Sequence, residues 1–238
     1  MRTSLLPLPP ATLPASSTGT AIHHVVLAGE RVQLLADRAL YWPDAATLFV
    51  ADVHLGKAAA FRAGGVPLPR GNTEADFARL TLLLAATGAR RLVVLGDFLH
   101  AAAGRVAALD TAFRGWRAQH PEVDLLLIRG NHDDRAGDPP SAWGIEVVPE
   151  PHLLTPFLAC HLPVEPPTGY ALCGHVHPGV RLTGVARVSA RLPCFVIGAR
   201  RAILPAFGGF TGLAMIRAAR GETRVAIAGA RLFVLPTG

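Results

Sequence analysis

Short apolar runs of strand length recur along the first half of the chain, and each stops at polar residues. Thr47–Ala51 runs into Asp52, Arg91–Leu95 into Gly96-Asp97, and Val123–Ile128 into Gly130-Asn131-His132. Between these runs the apolar period changes. Phe77, Leu80 and Leu84 recur at spacings of three and four, with Asn72 or Thr73 as a cap and Gly88 as a stop. Val106, Leu109, Phe113 and Trp116 form a second helical stripe. Strands alternating with helices predict an α/β domain with a largely parallel central sheet. Upstream, Val25–Leu27, Val32–Leu35 and Ala39–Trp42 read as short strands. After Pro149, Leu153–Ala159, Tyr170–Cys173, Cys194–Ile197, Thr211–Ile216, Thr223–Ala228 and Arg231–Leu235 read as strands without helices between them, which predicts antiparallel pairing. The whole pattern predicts a two-sheet αββα sandwich, mixed central sheets packed together with flanking helices.

Composition narrows the setting. Half of the 238 residues are hydrophobic, yet no apolar run approaches the ~18 residues of a membrane-spanning helix. No membrane association is expected. Residues 1–20 are rich in Pro, Ser, Thr and Ala and are expected to form a poorly ordered tail, leaving 21–238 as one domain. Prolines there interrupt what would be the apolar core of a signal peptide. Cys160, Cys173 and Cys194 have no motif spacing, which argues against a disulfide framework and for a reducing cytoplasm. A net charge of +6 and a pI near 10.2 favour a polyanionic partner such as DNA. Lys57 is the only lysine and the arginines are scattered, so this support is weak.

The candidate chemistry lies where the strands end. Asp52 and His54, Asp97, Asn131 and His132, His161, and His175 and His177 each follow a predicted strand. In open α/β sheets that carboxyl edge is where loops converge on ligands. An Asp-x-His pair, a Gly-Asp turn or one strand-end histidine is common by chance; five such motifs in order are not. The i, i+2 spacing of His175 and His177 would aim both rings to one side of an extended segment. Imidazole, carboxylate and amide oxygen make a mixed donor set suited to Mn²⁺, Fe²⁺ or Zn²⁺, and no cysteine is needed. Two ions roughly 3.5–4 Å apart can clamp an in-line displacement at phosphorus. One carboxylate must then bridge them, and Asp97 is the natural candidate.

Asp52-x-His54, Gly96-Asp97, Gly130-Asn131-His132-Asp133, His161 and Gly174-His175-x-His177 together resemble the calcineurin-like metallophosphoesterases. Asp52-Val53-His54-Leu55-Gly56-Lys57, Phe61-Arg62 and Leu204 to Gly212 further resemble the bacterial ligase-associated DNA damage response phosphoesterases and endonucleases (PdeM). The superfamily resemblance implies one ion on Asp52, His54 and His177 and another on Asn131, His161 and His175, with Asp97 shared. His152 is a rival to His161, but it precedes its strand. The resemblance also implies two divalent cations, manganese first, and a metal-bridging hydroxide attacking in line on a DNA phosphodiester. His132 would serve catalysis over the leaving group. Partnership with a DNA ligase, a helicase and an exonuclease of a repair system is implied as well.

Other residues have bland readings. His23, His24, His100 and His120 lack partner spacing and read as structural or exposed, with support of the site as the alternative for His100, which follows Gly96-Asp97 closely. Arg62, Arg129 and Arg200 could meet substrate phosphate, against surface solvation as the competing reading. Two alternatives stand beside the nuclease. One is a phosphoesterase for a nucleotide, cyclic nucleotide or other small phosphoester. The other is a degenerate scaffold, which would have lost ligands that this chain retains.

Overall fold

The computed structural model describes residues 21–68, 71–183, 189–217 and 219–236; the tail expected over 1–20 lies outside them. In chain order come β1 (Ile22–Leu27), β2 (Glu30–Leu35), β3 (Ala39–Trp42), β4 (Thr47–Val50), α1 (Lys57–Ala63), α2 (Asn72–Thr87), β5 (Arg91–Leu95), α3 (Ala107–Gln119), β6 (Asp124–Ile128), α4 (Asn131–Ala136) and β7 (Ile145–Val148). An all-strand half follows: β8 (His152–Leu154), β9 (Phe157–Ala159), β10 (Tyr170–Cys173), β11 (Pro178–Thr183), β12 (Ser189–Ile197), β13 (Arg201–Ile203), β14 (Ala214–Met215), β15 (Thr223–Ala228) and β16 (Arg231–Leu235).

The first sheet runs β1 through β7 in sequence order. Its first four strands are antiparallel neighbours, and β4 to β7 are parallel. Among the parallel strands, β4, β5 and β6 are buried on both faces, which is why they read as continuous apolar runs. Their side chains alternate between two cores. Leu48, Val50, Leu92, Val94, Leu125 and Leu127 face the helices, where Phe77, Phe113 and Trp116 pack. Phe49, Val93, Leu95, Leu126 and Ile128 face the second sheet and meet Phe157, Leu172 and Phe195 there. The result is the mixed two-sheet sandwich with flanking helices that the pattern predicts. The described helices all precede β8, and none is long and apolar enough to cross a membrane.

Local expectations change in several places, and the strand expected over Thr211–Ile216 shortens to the two-residue β14. Leu153–Ala159 is a hairpin of β8 and β9, because Pro156 has no N–H for a ladder and turns the chain. The pairing expected after Pro149 is antiparallel, but β10 lies parallel to both β9 and β13. That arrangement sends the segments after β9 and β10 out of the same edge, where a hairpin would send them to opposite ones. Gly71, in the left-handed region at φ 101°, caps α2 one residue before Asn72, with no side-chain cap. Val106 precedes α3 and is exposed, so only Leu109, Phe113 and Trp116 form its buried stripe.

Phe113 stacks on Trp143 at 4.0 Å and also contacts Phe77, Phe98 and Trp116. Phe113→Ala should cost about 3–5 kcal/mol in urea unfolding; a loss below about 1 kcal/mol would mean that this cluster repacks.

Candidate metal centre

Parallel register aligns the ends of β4, β5 and β6, and backbone hydrogen bonds continue past them. Asp52 N–H donates to the Gly96 carbonyl at 3.1 Å, and His54 N–H to the Asp97 carbonyl at 2.9 Å. The second sheet reaches the same rim. Phe207 N–H donates to the Ala51 carbonyl at 2.7 Å, and His175 N–H to the Asp52 carboxylate at 2.9 Å. Glycines permit this approach. A Cβ on Gly174 would stand 2.7 Å from the Leu95 carbonyl oxygen and 2.9 Å from Asp52 Oδ2, and one on Gly130 would strike Asp97. Each of these glycines precedes a candidate ligand because only a missing side chain lets the loops meet.

The backbone then turns each side chain inward. Asp52, His54, Asp97, His175 and His177 all have positive φ, between 51° and 70°. Asp and His tolerate this region better than most residues. Such a concentration of left-handed non-glycine residues marks a built site.

All eight residues expected at the site, including His132, come together. His54 Nε2 lies 3.3 Å from His177 Nε2 and 3.7 Å from Asp97 Oδ2, and His177 Nε2 lies 3.5 Å from Asp52 Oδ1. On the other side, His161 Nε2 lies 3.0 Å from His175 Nδ1, 3.0 Å from Asn131 Oδ1 and 3.4 Å from Asp97 Oδ1. Asp97 therefore presents one oxygen to each group. Donors bonded at about 2.0–2.2 Å to one ion stand roughly 3–3.5 Å apart, so the spacings fit two cations. His161 N–H at Nδ1 donates to the Leu95 carbonyl at 3.1 Å, which leaves the Nε2 lone pair facing the site.

The charges fit as well. Asp52 and Asp97 are fully buried, and their ion pairs among the described residues are with histidines alone. Burial, helped by the positive charge of Lys57, pushes the His54 pKa down to about 2, and burial also lowers His175. Those imidazoles stay neutral at pH 7. The two buried carboxylates have Lys57 as a nearby positive charge, and a bound cation would offset more of the cost of their burial. Groups able to hold a metal form around Asp52, His54 and His177 and around Asp97, His161 and His175.

His132 stands beside both groups. Its N–H donates to Asp97 Oδ1 at 2.8 Å, and its Nδ1–H donates to the His100 carbonyl at 2.7 Å. Its ring lies 4.8 Å from His54, edge to face. His100 stacks on His132 at 4.8 Å, and burial lowers its pKa to about 4. The rival His152 lies on β8 opposite Ala159 and joins none of the metal-capable groups. Arg129 pairs with Asp138 and Asp134, Arg62 donates to the Leu68 carbonyl, and Arg200 is exposed.

Two supporting residues escape a reading by spacing. Asp133, its pKa raised to about 6 chiefly by burial, accepts from the backbones of Gly130, Leu99 and Phe98 and ties the Asn131 loop to the Asp97 loop. Glu150 accepts from His161 N–H at 2.6 Å and Leu162 N–H at 2.8 Å. Asp133 lies inside a visible motif; Glu150 carries no sequence signal.

Two mixed sheets that converge such donors on one rim define a metal-dependent phosphoester hydrolase. The Pseudomonas putida nuclease MPE has a similar crystal structure, at a TM-score of 0.78 and 42% identity over 90% of this chain and 100% of that one. The chain belongs to the same family of metallophosphoesterases as that nuclease. The Escherichia coli phosphoesterase YfcE is also similar, at 16% identity and a TM-score of 0.35 over 77% of this chain and 88% of that one, too slight a likeness to build on. No family model and no curated protein matches.

Because Asp97 faces both groups, Asp97→Asn should lower occupancy of both cation positions together, measured as metal per protein by mass spectrometry. Loss of one equivalent with the other held at wild-type affinity would show that the carboxylate is not shared.

Proposed function

We propose that this phosphoesterase is a nuclease that cleaves phosphodiester bonds in DNA. The observation that carries the substrate is the likeness to a nuclease over that protein's whole length. The basic net charge of +6 agrees with a polyanionic substrate. Asp52, His54 and His177 would hold one divalent cation and Asn131, His161 and His175 the other, with Asp97 between them. Manganese suits the mixed nitrogen and oxygen donors, with iron and zinc next. Bound cations supply Lewis acidity at the phosphoryl oxygens and a water acidified enough to attack near neutral pH.

The protein's own contribution is placement and proton transfer. Main-chain bonds fix Asp52 and Asp97 before any ligand arrives, so little reorganisation is left for the reaction. The His100 carbonyl holds His132 Nδ1–H, so the proton exchanged with the leaving oxygen is the one at Nε2. We further place the reaction in the cytoplasm and in DNA repair, beside a ligase, a helicase and an exonuclease. The resemblance of Asp52 to Lys57, Phe61-Arg62 and Leu204 to Gly212 to the ligase-associated phosphoesterases supports that setting.

The test is hydrolysis in Mn²⁺ of single- and double-stranded DNA, a simple phosphodiester and a phosphomonoester, with Asp97→Asn as control. DNA cleavage that the control lacks supports the reading; turnover of small phosphoesters alone replaces it with the small-substrate alternative. His132→Ala should lower turnover by about 10²–10⁴ while metal content stays at the wild-type level. Equal loss of metal and turnover would remove His132 from proton transfer.

A further inference from the structure

Phe61 on α1 and Phe210 in the loop after β13 remain 40% and 37% exposed, although they touch each other edge to face at 6.0 Å. Isolated exposed apolar residues are ordinary, but these two border the metal centre. Phe61 stacks on His100 at 6.0 Å, His100 stacks on His132, and His132 meets His54. A continuous series of flat rings thus leads outward from the site to a solvent-facing aromatic pair. Phe210 also lines a small cleft with His54, Lys57, Asn72, Thr73 and Asp76. The chain's one lysine and an exposed ring therefore share a cleft with a candidate metal residue.

The Phe210 loop is held in place. Asp76 accepts from Gly209 N–H at 3.0 Å and from Arg79 at 3.0 Å. The Arg79 guanidinium lies 3.9 Å over the Phe207 ring and donates to the Phe207 carbonyl, and Thr211 donates to the Gly208 carbonyl at 2.9 Å. Gly208 N–H donates in turn to the Asp52 carbonyl at 3.2 Å. The loop that carries Phe210 is thereby tied to the turn that carries Asp52, so ring and rim keep a fixed separation. A preset aromatic surface costs little ordering when a ligand stacks on it.

We infer that Phe61 and Phe210 form a stacking subsite for a nucleobase next to the cleaved phosphodiester. The inference rests on the nuclease reading and deepens it. A phosphodiester held at the rim carries a nucleoside on each side, and the side toward His132 and His100 meets these rings. Every base has a π-face, so the subsite binds bases without reading sequence. A base inside a duplex has both faces covered by its neighbours. The nucleotide that uses this subsite is therefore unpaired or turned out of the helix.

A dinucleoside monophosphate tests this, because it has one cleavable bond. It is compared in Mn²⁺ with analogues in which an abasic sugar replaces the nucleoside on either side. Wild type should prefer a base on one side by on the order of 10-fold in kcat/KM. Phe61→Leu and Phe210→Leu keep apolar volume but lose the aromatic face, and should bring that preference to within about twofold of one. Phe210→Trp should retain it, and its indole fluorescence should be quenched by the dinucleotide even where a leucine variant fails to fold. Equal cleavage of all substrates by wild type, or an undiminished preference in folded leucine variants, overturns the subsite and leaves the nuclease intact. Hydrolysis of a small phosphomonoester with no cleavage of any dinucleotide sinks both.

Discussion

Two carboxylates buried within one ring of histidines are the constraint around which this molecule is organised. Asp52 and Asp97 have left bulk water, and burial holds His54 and His175 beside them toward the neutral state. A buried charge without a counter-charge is among the costliest features a fold can carry. Divalent cations relieve it, and the spacing of nitrogen and oxygen donors around Asp97 suits two of them. Relief of that burial cost is one contribution to the affinity of the site for cations.

Holding that arrangement requires backbone strain. Asp52, His54, Asp97, His175 and His177 sit in the left-handed region, each at a cost of roughly 1–2 kcal/mol for a residue with a Cβ. The strain persists because neighbouring loops over-determine it. Gly96, Gly130 and Gly174 remove the side chains that would keep the loops apart, and carbonyls and carboxylates at the rim accept N–H groups from the opposite loop. Asp133 and Glu150 do the same from outside the donor set. The rim is a braced structure.

The two sheets contribute unequally. The first supplies Asp52, His54, Asp97, Asn131 and His132 from parallel strands, whose common direction puts all their ends at one edge. The second supplies His161, His175 and His177, and it can do so only because β9 and β10 run parallel. It also supplies the 206–210 loop, which bonds to Ala51 and Asp52 and reaches back to Asp76 and Arg79 on α2. The sheet-to-sheet core of Phe49, Phe157, Phe195 and their neighbours fixes the distance at which these contributions meet.

Much of this was legible in the residues alone. The strands before Asp52, Asp97 and Asn131 and the stripes of α2 and α3 follow from the period of apolar positions, because burial on one or both faces imposes that period locally. All eight candidate site residues were legible because each stands at the end of a recognisable element. The parallel pairing of β9 and β10, the hairpin inside Leu153–Ala159, the bracing by Glu150 and the alignment of Phe61, His100 and Phe210 were decided only in three dimensions. Periodicity reports how buried a strand is, and it carries no record of which way its neighbour runs. Contacts between residues such as Phe61 and Phe210, nearly 150 positions apart, arise from packing two sheets face to face, and no local pattern encodes that step.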